Sequence, residues 1–210
     1  MSQAVEFGGD ALAPASYAAR MTDTSLLPAA VAVAYRRAET AGFGYSSEPL
    51  AGQLLATLSA AVRPGGRILE LGTGAGAGLA WIGHGLGDRR DVEVVSVEFD
   101  KSLATAVREA GLPDRFEVRV GDAEALLPEL GTFDLVFADA PAGKWTGLDL
   151  TIAALADGGV LFVDDMDPGR YAEPEHRAVV DGIRRTLTGH DALVATDLPV
   201  GSGFILAVRR

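Results

Sequence analysis

Apolar positions along the chain follow two regimes. Up to about residue 62 they recur at helical spacing. Ser25 to Thr40, SLLPAAVAVAYRRAET, opens on a serine with a proline in the first turn, both helix-start signals. GFGY at 42–45 breaks it, and Glu48 to Val62 resumes with Leu50, Leu54, Leu55 and Leu58 on one side. After Pro64-Gly65-Gly66, short apolar runs take over: RILELG (67–72), VEVVSVE (92–98), FEVRVG (116–121), FDLVFADA (133–140) and GVLFVDDM (159–166). Helical stretches near 76–86, 101–110, 122–130 and 147–156 separate them. Runs that are apolar on both faces and alternate with helices predict a parallel sheet covered on both sides, a doubly wound α/β fold.

The end of the chain departs from this pattern. A helix near 174–188 precedes two strands that flank the turn Val200-Gly201-Ser202-Gly203. A hairpin joins antiparallel neighbours, so the mostly parallel sheet should carry one antiparallel last strand. Residues 1 to about 23 show no period and are expected to form a loosely packed arm. The expected organisation is one compact domain, with an N-terminal arm and helices (1–63) covering a binding site on an α/β core (64–210).

Composition narrows the function classes. The 210 residues are 48% hydrophobic and 22% charged, a globular balance that suits a single core. The lack of cysteine excludes disulfides and thiolate metal sites. No apolar run is long enough to cross a bilayer, and MSQAVEFGGD lacks the basic and apolar regions of a signal peptide. A cytoplasmic protein with no membrane partner is expected. Net charge is -11, and the 18 Lys and Arg residues form no stripe, which weighs against nucleic acid as a partner.

In an open α/β sheet, ligands sit beyond the carboxyl ends of the strands. The first strand ends at Glu70-Leu71-Gly72, and Gly74, Gly76 and Gly78 follow at intervals of two. No window of that loop meets the G-x-G-x-x-G spacing of a dinucleotide site. Glu70, just ahead of the glycines, would repel a pyrophosphate; it either suits a cationic group or serves as a structural loop carboxylate. Glu98 closes the second strand, either as a double acceptor for ribose hydroxyls or as an exposed strand-end charge. Asp122 follows the third strand and either meets an adenine edge or caps the next helix.

These stretches, E-L-G-T-G-A-G (70–76), V-E-F-D (97–100) and G-D-A-E (121–124), resemble three motifs of the class I S-adenosylmethionine-dependent methyltransferases. The resemblance covers roughly residues 48 to 210. It implies S-adenosylmethionine as cofactor and a seven-stranded sheet with an antiparallel last strand. It places Glu70 and Gly72 near the methionine part, Glu98 at the ribose, and Asp122 with Ala123 beside the adenine, and it adds Gly74, Gly76, Phe99 and Gly121 to the cofactor-binding set. Tyr45, Ser46 and Ser47 resemble the segment that covers the methionine end, and Asp139 joins Ser47 in the implied cofactor set.

The fourth run ends at Asp139 and the fifth at Asp164-Asp165, both on the ligand side. Three facing carboxylates repel unless protonated or bridged by a cation, and an all-oxygen cluster suits a hard ion. The pattern resembles the small cation-dependent O-methyltransferases of the catechol and caffeoyl-coenzyme A type. There an Asp after strand four and an Asp-Asn pair after strand five hold the metal. That resemblance implies a divalent cation (magnesium, or calcium or manganese) on Asp139, Asp164 and Asp165. Asp165 stands where Asn is usual and adds a charge. The alternative is that Asp139 only positions the cofactor and Asp164 caps the next segment.

Lys144 is the only lysine besides Lys101. The subgroup's catalytic lysine lies in this loop, closer to the aspartate. Lys144 is therefore a base or fixed charge working with Asp139, or else a surface lysine. Trp145 either walls an acceptor pocket or packs the loop. Trp81 is expected in the core, and His84, His176 and His190 share no ligand spacing. The implied activity is cation-assisted O-methylation of a small phenolic or catechol-like hydroxyl, by a homodimer as relatives often are. The alternatives are a metal-independent methyltransferase acting on a nitrogen or an RNA base, and a non-catalytic nucleoside-binding protein.

Overall fold

A computed structural model of the chain describes residues 27–210, so the expected arm and residues 25 and 26 lie outside the described residues. Helix α1 spans Ala29–Ala41. Pro28 stands just before it, at the N-cap rather than in the first turn, and Gly42 closes it in the left-handed region at φ 64°. Helix α2 spans Pro49–Ala61, with proline at its first position.

The stripe that α2 buries is not the predicted leucine stripe. Ala51, Gly52, Leu55, Ala56 and Ser59 face inward, while Leu50, Leu54 and Leu58 pack half-buried at the flanks. The reason is close approach to α3 (Ala77–Leu86). A Cβ at Gly52 would fall 2.0 Å from Nε1 of Trp81. One at Gly85 would fall 2.1 Å from the Ala56 carbonyl oxygen. Small residues let these helices touch, and Trp81 fills the space, buried as expected.

Seven strands form one sheet: β1 (Arg67–Leu71), β2 (Glu93–Glu98), β3 (Phe116–Val120), β4 (Phe133–Ala138), β5 (Leu155–Val163), β6 (Leu193–Leu198) and β7 (Phe204–Arg209). Their order is β3-β2-β1-β4-β5-β7-β6. Strands β1 to β5 are parallel, and β7 runs antiparallel to both β5 and β6. The antiparallel last strand expected from the terminal hairpin is present. Helices α4 (Lys101–Glu109), α5 (Ala123–Leu130), α6 (Leu148–Ala153) and α7 (Pro174–Thr188) complete the connections.

Strand β5 begins earlier than its apolar run suggested, and α6 is correspondingly short. The register with β4 jumps from Phe133 opposite Leu155 to Leu135 opposite Val160. Gly158, at φ 75°, turns the extra residues out. Wholly buried Leu155 is thus a strand residue before a bulge.

Strand alternation sorts the core onto two faces. Leu69, Leu71, Val95 and Val97 belong to one apolar cluster, and Ile68, Val94, Phe137 and Phe162 to the other. The winding reverses between β1 and β4, which opens a crevice beyond their carboxyl ends.

Candidate active site

The crevice begins at Gly72, whose φ is 98°. A Cβ there would fall 2.7 Å from the carbonyl oxygen of Asp139. Glycine therefore lets the loop after β1 cross directly over the end of β4. The Asp139 amide in turn donates to the Leu71 carbonyl at 2.9 Å.

Glu98 fixes this loop. Its Oε2 accepts from the Gly74 amide at 2.7 Å and its Oε1 from the Asp100 amide at 2.8 Å. It is 9% exposed, not a loose strand-end charge, and it lines a cavity of about 570 Å³. Asp100 caps α4 through the amides of Ser102 and Leu103. Asp122 caps α5 through the Glu124 amide at 2.9 Å, as one of its two readings had it, and also lines the cavity. Gly121, Ala123 and Phe99 continue that wall.

Glu70 and Gly76 lie outside the wall. Glu70 sits opposite Ser96 in the β1–β2 register, wholly buried beneath the glycine loop. Its Oε2 accepts from the Ser96 hydroxyl at 2.5 Å, that hydroxyl lies 2.6 Å from Thr73 Oγ1, and its Oε1 has no partner. Burial pushes the Glu70 carboxyl well above the usual range, with the Ser96 bond opposing. Glu70 thus supports the loop from below, in keeping with the structural one of its two readings. Gly76 caps α3 and faces Arg37 and Val107 instead.

Asp139 lines the opposite end of the cavity. Its Oδ2 accepts from the Ser47 hydroxyl at 2.8 Å, and Tyr35 holds Ser47 in place by donating to its carbonyl at 2.7 Å. Burial and then the Asp164 carboxylate push Asp139 up to about 8, against the pull of the Lys144 ammonium. Asp164 is outside the wall. Its Oδ1 accepts from the Ser202 hydroxyl and from the Asp165 amide. Ser202 itself is pinned by Glu48, which accepts from its amide at 2.6 Å. Burial pushes Asp164 up to about 6, with the Ser202 bond opposing.

Asp165 does face the cavity. Among the described residues it is the single non-glycine with positive φ, 61°. The Tyr171 hydroxyl donates to its carbonyl at 3.1 Å, and Arg170 lies 3.7 Å from its Oδ1.

Lys144 is 3% exposed, which removes the surface-lysine reading. The tight turn at 141–146 tucks it inward. The Trp145 amide closes on the Pro141 carbonyl at 2.7 Å, and the Thr151 hydroxyl donates to the Gly143 carbonyl at 2.6 Å. Nζ donates to the Asp164 carbonyl at 3.1 Å and stands 3.7 Å from Asp165 Oδ2 and 3.9 Å from Asp139 Oδ1. The three aspartates are therefore close, but they do not form a ligand set. Among the described residues no group of three His, Cys, Asp or Glu side chains is arranged to hold a metal ion. As placed, with the Lys144 ammonium among them, these oxygens do not fit the expected divalent cation.

Trp145 lines the cavity and packs edge-on against Tyr171 at 5.5 Å and beside His176 at 5.1 Å. It both walls the pocket and braces the loop.

The chain is 35% identical over 176 residues to a catechol O-methyltransferase of Mycobacterium tuberculosis, covering 76% of this chain and 78% of that one. A family described as a methyltransferase domain matches residues 69–166, from β1 to just past Asp165. The chain belongs to the class I S-adenosylmethionine-dependent O-methyltransferases. Among solved structures, this O-methyltransferase is similar to TomG of Streptomyces achromogenes, an O-methyltransferase involved in tomaymycin synthesis, in complex with S-adenosylmethionine (26% identity, TM-score 0.74, 89% of this chain and 93% of that one). It is also similar to the cofactor-bound protein Rv0187 from MTB (28% identity, TM-score 0.79, 92% and 96%). No helix among the described residues is long and apolar enough to cross a membrane.

Several residues of the O-methyltransferase site escaped the sequence reading. Tyr171 lies in the loop DPGRYAEPEH, which has no period to place it. Ser202 sat in a predicted turn with nothing to tie it to Asp164. Ser96 did leave a signal, as the one hydroxyl in the apolar run VVSVE.

Proposed function

We propose that this O-methyltransferase binds S-adenosylmethionine along the crevice and methylates the hydroxyl of a small phenolic or catechol-like acceptor. The observation that carries the reading is the polarity of the cavity from end to end. One end pairs Glu98 with Phe99 and Asp122, which suits a ribose diol and an adenine. The other end gathers Asp139, Lys144, Trp145 and Tyr171, which suits a flat hydroxylated ring. Phe99 is 79% exposed and Tyr45 86%, although both line the cavity. Apolar rings left open at a pocket rim are surfaces that ligands cover. Two similar proteins, a catechol O-methyltransferase and an S-adenosylmethionine-bound O-methyltransferase, support the same assignment.

The chemistry asked of these residues is orientation and charge control. The methyl carbon leaves the sulfonium sulfur, whose bonding pair stays behind and neutralises it, and bonds to the acceptor oxygen. The hydroxyl proton goes to water at the open rim. The Lys144 ammonium stabilises the oxygen as negative charge develops there. Ser47 and Asp139 hold the boundary between donor and acceptor. The divalent cation expected from the acid run forms no part of this reading, because the Lys144 ammonium already stands among its would-be donors.

The test is incubation of the purified protein with S-adenosylmethionine and a panel of phenols, catechols and aromatic amines, read by product mass. A methyl ether of a phenol or catechol is expected. Methylation of amines alone, or of RNA, would overturn the acceptor assignment.

A further inference from the structure

We propose that the Lys144 ammonium occupies the cation position of the acceptor site, so that methyl transfer by this chain runs without a divalent metal. The inference rests on the methyltransferase reading above and concerns the cation at that same site.

Three oxygens face Nζ: the Asp164 carbonyl at 3.1 Å, Asp165 Oδ2 at 3.7 Å and Asp139 Oδ1 at 3.9 Å. These are hard donors on two strand ends, the kind a magnesium or calcium ion takes. Here one covalently tethered cation uses all three. A divalent ion on the same oxygens would stand beside the ammonium that already faces them. Like charges at that separation repel.

Independent features hold the lysine in place. The turn is pinned by Thr151, and Lys144 is buried. One oxygen of the neighbouring carboxylate is committed elsewhere, since Asp164 Oδ1 accepts from Ser202 and from the Asp165 amide. The charge of Asp165 is answered by Lys144 on one side and Arg170 on the other.

The deciding experiment titrates Mn2+ into the wild-type chain and into Lys144→Met, followed by electron paramagnetic resonance, with S-adenosylhomocysteine binding as the measure of folding. The wild type should show no stoichiometric Mn2+ binding, and its methylation should be unchanged by EDTA. Lys144→Met frees the three oxygens and should tighten Mn2+ at least roughly tenfold by removing one like charge about 4 Å away. Stoichiometric Mn2+ binding by the wild type, turnover abolished by EDTA, or no gain in Lys144→Met that still binds S-adenosylhomocysteine would overturn the proposal. If Lys144→Met does not fold, the wild-type titration decides alone, in either direction. If the wild type binds S-adenosylhomocysteine but methylates no phenol, the acceptor assignment fails while the Mn2+ result still judges the cation.

Discussion

The carboxylate of Glu98 holds the amide of Gly74 at 2.7 Å, tying the end of β2 to the glycine loop after β1. The same side chain lines the cavity. It thus shapes the loop and presents a charged edge to whatever lies against it.

Glu98→Gln should weaken S-adenosylhomocysteine binding by roughly 10- to 100-fold, the usual cost of losing hydrogen bonds to a charged acceptor. Calorimetry measures it. An unchanged Kd would remove Glu98 from the cofactor site.

Gly72→Ala sets a Cβ 2.7 Å from the Asp139 carbonyl at a φ of 98°. Strain of about 1–3 kcal/mol is expected from the backbone alone. A clear fall in Tm should follow, whereas Gly65→Ala, with open space around it, should cost less.

Asp139 and Asp164 together hold a proton well above the range of ordinary carboxylates, because burial disfavours their charges. The unfolded chain releases that proton near pH 4. Between there and about pH 8 the folded state binds more protons than the unfolded, so stability falls as pH rises. Tm against pH should show this decline, and Asp139→Asn should flatten it between about pH 6 and 8. A wild-type Tm that rises across this window would contradict the burial argument.

Trp145→Ala removes the ring packed on Tyr171 and opens the acceptor end. The acceptor KM should rise by roughly tenfold or more, as for truncation of a central aromatic contact. Binding of S-adenosylhomocysteine should be unaffected, and Trp145→Phe should restore most of the loss. Equal damage to both ligands would point to collapse of the loop instead.

The sheet could be read from the chain because the parallel strands are runs with apolar residues on both faces and their connections are helical, with a hairpin only at the end. The acids at the strand ends were visible for the same reason: Glu98, Asp139 and Asp165 close their runs. What hid was direction. Glu70 shares its parity with Ile68, so alternation sends it into the core beneath the loop. Ser96 opposite was the clue. Asp164 and Asp165 are adjacent, yet the positive φ at Asp165 turns one toward Ser202 and leaves the other facing the cavity. Lys144 reaches them only because a six-residue turn folds inward, closed by backbone bonds that leave no periodic trace.

The central claim is that the crevice beyond β1 and β2 holds an adenosyl sulfonium cofactor. Calorimetric titration with S-adenosylhomocysteine, beside a matched titration with NAD, tests it most directly. One S-adenosylhomocysteine per chain, lost in Glu98→Ala and unmatched by NAD, is the result predicted. Saturable NAD binding with no heat from S-adenosylhomocysteine would contradict the account.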